Sequence, residues 1–323
     1  MNQTVGIVIA AYNSERYLSR AITSVLAQTN PNWQLVVVND GSEDNTSKIA
    51  DEYAAQDARI SVTSQDNSGA AKARNVGVFA LDTYWATYLD ADDELDSAFV
   101  EAMVELVKEN PGYDYYSSNA VMVNPDGSHR QFRKQARPRE ILLSEMLRKC
   151  VITGAGTLQR VEVFKQNGGF NERIHHAEDY CYWLRTMAEG RTVLAAERVL
   201  YYYHVLSDGS NKSNHLYGKL NALQQIEKIE SEKTLSAKEQ AAVHEGKNRL
   251  VTAVSRSYLN SGDKQGMREL ASERLTQDNF SKHTQKQLEQ IFNPQSRFTL
   301  RTIAYIPYTF AKNVLAIIRG LKR

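Results

Sequence analysis

Short apolar runs alternate with helical patterns through the first 120 residues. Val5-Gly6-Ile7-Val8-Ile9 is a near-continuous apolar run, the mark of a strand buried on both faces. Asn13 or Ser14 can cap a following helix whose apolar positions Leu18, Ile22, Val25 and Leu26 recur at helical spacing. Leu35-Val36-Val37-Val38 predicts a second buried strand, ended by the turn-forming Asn39-Asp40-Gly41-Ser42. A helix over Thr46 to Ala55, a strand at Ile60-Ser61-Val62-Thr63, a helix over Asn67 to Leu81 and a strand at Trp85 to Leu89 come next. This rhythm predicts right-handed crossovers and a mostly parallel sheet covered by helices. Ligands on such sheets bind beyond the carboxyl ends of the strands. Polar residues stand at those ends.

From about residue 110 to 205 the pattern changes. Tyr115 to Val123 and His129 to Phe132 flank Asn124-Pro125-Asp126-Gly127, a hairpin signal. Helices are expected near Arg139 to Lys149 and Ala177 to Glu189, then a strand over Arg198 to Val205. From Leu216 to about Gln290 the pattern is helical and highly charged, without a chemical motif. The fold class is therefore α/β, with a helical C-terminal region. We divide it at 1–214 and 215–323, the first part into halves 1–110 and 111–214.

Composition narrows the classes. With 42% hydrophobic and 24% charged residues among 323, wholesale disorder is excluded. Two cysteines, Cys150 and Cys181, cannot make a disulfide framework or a cysteine zinc site. The start lacks the basic, apolar and small-residue regions of a signal peptide, so a cytoplasmic location is the expectation. The net charge of +1 hides an asymmetry: six cations and no acid lie between Gln290 and Arg323, leaving the body at −5. An acidic body argues against nucleic-acid binding.

The chemistry concentrates at strand ends. Asp90-Ala91-Asp92-Asp93 directly follows a strand, and clustered carboxylates repel one another unless a cation neutralises them. Mg2+ or Mn2+ take such oxygen ligands, with substrate phosphates completing the shell. A solvated turn capping a helix near Asp96 would explain the same residues. Asp40-Gly41-Ser42 alone is a turn. Asn67 to Gly77 brings small residues on a tight approach, with Lys72 and Arg74 in the opening turns of a helix, suited to a base or diphosphate. Gly154-Ala155-Gly156 lacks the third glycine and the strand-turn context of a dinucleotide fingerprint, which excludes NAD.

Taken in order, Val5 to Asn13 with Gln28-Thr29, Val37 to Thr46, Asn67 to Gly77 and Asp90 to Asp93 resemble the family-two glycosyltransferases, which have the GT-A fold. The resemblance covers about the first 205 residues. It implies that Tyr12, after Ala10-Ala11 where the family often has proline, and Asp40 hold a uracil ring, Asp40 accepting from the ring N–H. It further implies that Arg74 lines the nucleotide site, with Ala10, Lys72 and Ala91 beside it, that Asp90 lies close to the ribose, and that Asp92 binds the metal bridging the diphosphate.

Downstream, Gly168-Gly169-Phe170-Asn171-Glu172 and His176-Ala177-Glu178-Asp179-Tyr180 resemble the family's acceptor-side segment, which aligns Asp179 with the catalytic base and pairs it with Glu178. A base there would take the acceptor hydroxyl's proton; carboxylates opening a helix also favour its dipole. Tyr201-Tyr202-Tyr203-His204, with Ser207, Ser210 and Ser213, resembles a later element whose histidine approaches the metal in some members, so His204 joins Asp92 as a candidate ligand. His175, His176 and Cys181 are read as structural.

The resemblance implies a metal-dependent, inverting transferase moving one sugar from a nucleotide-sugar, a UDP-sugar foremost, to a glycan or lipid-linked acceptor in bacterial surface polysaccharide synthesis. A sugar nucleotidyltransferase would carry a glycine-rich basic loop where Ala10-Ala11-Tyr12-Asn13 stands, and a non-catalytic binding protein could dispense with Asp92 and Asp179. The tail, about 297–323, is interrupted by Pro307 and Lys312 and too short to span a bilayer. It reads equally as a basic helix on anionic lipid, giving a peripheral location on the inner membrane face, or as a helix packed on protein. The helical region beyond Leu216 suits self-association or acceptor docking.

Overall fold

The computed structural model describes residues 4–206 and 215–259, together with Lys286. Its first part runs β1 (Val5–Ala11), α1 (Leu18–Leu26), β2 (Trp33–Asp40), α2 (Thr46–Ala54), β3 (Ile60–Gln65), α3 (Ala70–Ala80) and β4 (Trp85–Asp90). The four strands are parallel in the order β3-β2-β1-β4. Helices cover them, so Ile7, Ile9, Leu35, Val37 and Leu89 are buried, and the continuous apolar runs are thereby explained. The register sets where the strands stop. Ala10 lies opposite both Val38 and Asp90, and Ala11 opposite Asn39, so β1, β2 and β4 end level with one another.

The second part comprises β5 (Glu94–Leu95), α4 (Phe99–Glu109), β6 (Tyr115–Val123), β7 (His129–Gln131), β8 (Arg139–Ile141), α5 (Leu143–Arg148), β9 (Thr157–Arg160), α6 (Val161–Gln166), α7 (Glu178–Ala188) and β10 (Val193–His204). It extends the same sheet as β4-β9-β6-β10-β5, where only β6 and β10 run parallel. The hairpin expected at Asn124 to Gly127 joins β6 to β7. An aromatic cluster fills the space beneath: Tyr115 meets Trp183 edge-on at 4.9 Å, and Phe170 lies 5.1 Å from Tyr182 and 5.4 Å from Tyr88. Burying Phe170 contributes about 2–3 kcal/mol and fixes the turn that carries it.

Two expectations need correction. Residues 139–149 are not one helix: Arg139–Ile141 pairs antiparallel with β10, and the helix starts only after Leu142, whose N–H is accepted by the Glu145 carboxylate at 3.1 Å. A three-residue ladder there prevails over local propensity. Neither Asn13 nor Ser14 caps α1, which begins at Leu18 after a turn in which the Ser14 carbonyl accepts from Tyr17 and Leu18. Both residues instead bond to the segment after β2.

Beyond these lie α8 (His215–Glu232) and α9 (Ala237–Leu259). The described residues as far as Gly246 form one compact unit, and those from Lys247 belong to another. The tail at 297–323 and Ser207, Ser210 and Ser213 lie outside the described residues. No helix among the described residues is long and apolar enough to cross a membrane.

Candidate functional site

The loops after β1 and β2 are sewn together. Asn13 N–H donates to Ser42 Oγ at 3.0 Å, Glu43 N–H returns a bond to Asn13 Oδ1 at 2.9 Å, and Ser14 N–H donates to Thr46 Oγ1 at 2.7 Å. Glu15 adds bonds to the backbone and side chain of Asn45. On this braced edge Tyr12 is 48% exposed, an open aromatic face beside the partly exposed Ala10. Asp40 is buried, and its carboxylate organises the loop before α3. It accepts from Gln65 Nε2 at 2.7 Å, Ser68 N–H at 2.9 Å and Gly69 N–H at 2.8 Å. A carboxylate offers about four lone-pair positions, so one remains. Lys72 makes no ion pair or hydrogen bond with a described residue.

The turn after β4 has a division of labour that the sequence did not reveal. Asp93 is fully buried, takes the Tyr201 hydroxyl on one oxygen and the His204 N–H on the other at 2.7 Å, and so pins the end of β10 to the acidic turn. Asp90 Oδ1 receives Arg74 Nη2 at 2.6 Å, and Ala91 is buried between. The Asp92 carboxylate accepts nothing from another described residue. Burial, helped by the Asp90 charge, raises it to about 6. An anion so placed is relieved by a cation. His204 is brought to this turn by its backbone, but its Nε2 lies 2.7 Å from Glu94 Oε1. No group of three His, Cys, Asp or Glu side chains among the described residues is arranged to hold a metal. Asp92 alone fits the one-carboxylate contribution of a Mg2+ or Mn2+ site completed by phosphate oxygens and water.

Across from this turn, α7 opens with Glu178 and Asp179. Arg74 joins the two sides, donating to Asp90 through Nη2 and to Glu178 through Nη1, its guanidinium 5.2 Å above the Tyr88 ring. Burial opposes its charge, but Asp90 and Glu178 outweigh that and hold it protonated. Asp179 accepts from Tyr180 N–H at 2.7 Å, and burial together with the Glu178 charge raises its carboxyl to about 6. Asn75 and Arg185 fix the preceding turn: Asn75 bonds the Phe170 N–H and carbonyl at 2.8 and 3.0 Å, and Arg185 spans the carbonyls of Asn167 and Gly169 at 2.7 Å each.

Asn75, Asp93 and Gly154 are the site residues that sequence reasoning left without a role. Only Asp93 carried a signal, as the odd member of an acidic cluster. Gly154 carries no side chain because Asp179 occupies that space: a Cβ there would sit 2.1 Å from Asp179 Oδ2. Gly154→Ala is therefore expected to push the carboxylate aside, lowering transfer by about 10²-fold through misplacement while nucleotide affinity, measured by calorimetry, stays within twofold. Equal losses in both would remove Asp179 from the acceptor side.

Gln28-Thr29 is likewise explained. Gln28 Oε1 accepts Val100 N–H at 2.9 Å, its Nε2 donates to the Asp96 carbonyl at 2.8 Å, and Thr29 reaches Glu101 at 2.9 Å. These bonds anchor α4 behind the acidic turn.

Comparison with known proteins places this geometry. The model of the family described as Glycosyl transferase family 2 matches residues 6–168. The uncharacterized glycosyltransferase EpsJ of Bacillus subtilis is 30% identical over 207 residues, a match spanning 62% of this chain and 60% of that protein. Among solved structures, S. aureus TarS 1–349 in complex with UDP-GlcNAc superposes with a TM-score of 0.61 at 17% identity, covering 95% of this chain and 82% of that one. The mannosyltransferase PcManGT of Pyrobaculum calidifontis, in complex with GDP-Man and Mn2+, gives 0.58 at 13% identity over 88% and 84%. At such identities the likeness shows the fold.

Proposed function

The chain belongs to Glycosyl transferase family 2, and we propose that it transfers a single sugar from a nucleotide-sugar, foremost a UDP-sugar, to an acceptor hydroxyl with inversion at the anomeric carbon. The observation that carries this reading is the Arg74 bridge, which ties the Asp90 turn to the Glu178-Asp179 pair through one guanidinium.

In this reading the exposed ring of Tyr12 stacks on the base, and the last acceptor position of Asp40 takes the ring N–H. Lys72, whose ammonium pairs with no described residue, offsets the diphosphate's charge, while Arg74 lines the nucleotide site between Asp90 and Glu178. Asp92 would hold a divalent cation, and that ion would supply Lewis-acid stabilisation of the departing diphosphate. His204 serves as a second ligand only if it leaves Glu94. Asp179 accepts the acceptor hydroxyl's proton as that oxygen bonds to the anomeric carbon and the sugar–phosphate bond breaks, the electron pair leaving with the nucleoside diphosphate. Glu178, its charge neutralised by Arg74, holds the guanidinium in place. The acceptor is read as a glycan or lipid-linked intermediate of surface polysaccharide synthesis, with the basic tail at 297–323 as a contact to anionic lipid.

The test is calorimetric titration with UDP, GDP, CDP and dTDP, each with Mn2+ and again with EDTA. UDP is expected to bind tightest, and at least tenfold more weakly without metal. Preference for another nucleotide would overturn the role given to Asp40. Binding of none would overturn the transferase reading.

A further inference from the structure

Helix α8 carries no motif, yet it touches a strained point of the site. Ala177, immediately before Glu178-Asp179, has φ +57° and ψ +30°, the left-handed region that a residue with a Cβ enters at a cost. It is the N-cap of α7, so its backbone angles set where the first turn of that helix points. Such a conformation persists only where surroundings over-determine it. Three contacts from one face of α8 do so. Asn221 Nδ2 donates to the His176 carbonyl at 2.9 Å, the peptide group leading into Ala177. Tyr217 lies ring to ring with His176 at 5.9 Å. Gly218 gives way to the turn: a Cβ there would meet the Ala177 Cβ at 3.3 Å. Residues 217, 218 and 221 share a helical face. The glycine that the turn itself lacks is thus found on the helix packed against it.

We propose that Asn221 and Gly218 are positioning residues for the catalytic carboxylates, holding Ala177 left-handed so that Glu178 reaches Arg74 and Asp179 seats over Gly154. The proposal rests on Asp179 being the base. Asn221 is 4% exposed and bonds the backbone of the turn that carries Glu178 and Asp179. Its effect should therefore fall on turnover and not on donor binding.

The experiment uses the full chain and its UDP-sugar donor, with Asn221→Ala, Gly218→Ala, Asn221→Ala combined with Ala177→Gly, and Lys228→Ala on the exposed side of α8 as control. Losing the Asn221 bond to the His176 carbonyl should lower kcat about tenfold, with donor KM and UDP affinity within twofold. Gly218→Ala should lower kcat by less, since a few tenths of an ångström of give suffices. Ala177→Gly removes the conformational penalty, so the double variant should recover most of the lost kcat. Unchanged kcat in Asn221→Ala would overturn the proposal, as would a uniform loss of kcat, UDP affinity and thermal midpoint without rescue. If Asp179→Asn retains wild-type transfer, the base assignment has failed and the proposal falls with it. If Asp179→Asn is inactive while Asn221→Ala is normal, only the positioning role is wrong.

Discussion

Replacing Asp179 by asparagine is expected to cut transfer by about 10²–10⁴-fold, the usual worth of a positioned base, while UDP affinity stays within twofold. The same substitution should make the protein more stable. Asp179 binds its proton more tightly in the folded chain, at about 6, than in an unfolded one near 3.8. The folded state is therefore favoured most below pH 4 and loses that advantage as pH rises through about 6. At pH 7.5 the ionised carboxylate is a net cost that asparagine does not carry. Removing it should recover up to about 3 kcal/mol and raise the thermal midpoint by several degrees. In the wild type, kcat/KM should fall tenfold per pH unit below about 6 as the base is protonated. A loss of UDP affinity as large as the loss of activity would refute the assignment, and a fall in stability would refute the buried, ionised state on which it depends.

How much of the fold and site was legible in the chain depends on where each signal resides. Strands β1, β2 and β4 are written in uninterrupted apolar runs because both their faces are covered, and their level ends follow from parallel pairing. Strands β5, β8 and β9 have only two to four residues each and owe their existence to partners far along the chain, so no window of sequence contains them. The site divides the same way. Asp90, Asp92, Glu178 and Asp179 were named from motifs because charged residues at strand ends and helix starts are conspicuous. The Arg74 link between Asp90 and Glu178, spanning 16 and 104 residues, is a property of packing alone. Gly154 was weighed only as part of a nucleotide fingerprint, since a glycine chosen to make room for a distant carboxylate has no local mark. Asp40 shows the opposite limit. Its motif position suggests a base contact, and the fold employs most of its acceptor capacity in holding Gln65, Ser68 and Gly69.

Arg74→Met is expected to be the most destabilising single change at the site. The side chain is 12% exposed and pairs with both Glu178 at 11% and Asp90 at 32%. Removing one partner leaves two carboxylates facing Asp92 and Asp179 without their cation, and breaking a buried pair typically costs about 3–5 kcal/mol. The partial exposure of Asp90 places the expected loss near the lower end, about 3 kcal/mol, or roughly 6–12 °C in thermal midpoint. Transfer should be lost with it. Combining Arg74→Met with Glu178→Gln separates the two effects: the double variant relieves the unpaired charge and should regain a degree or more of midpoint, yet remain inactive because nothing bridges the donor and acceptor sides. Mn2+ should stabilise Arg74→Met more than the wild type, since a cation binding at Asp92 compensates part of the missing charge. Equal shifts in both proteins would mean that the acidic turn and the Glu178-Asp179 pair are electrostatically separate, and that Arg74 holds the two sides together only mechanically.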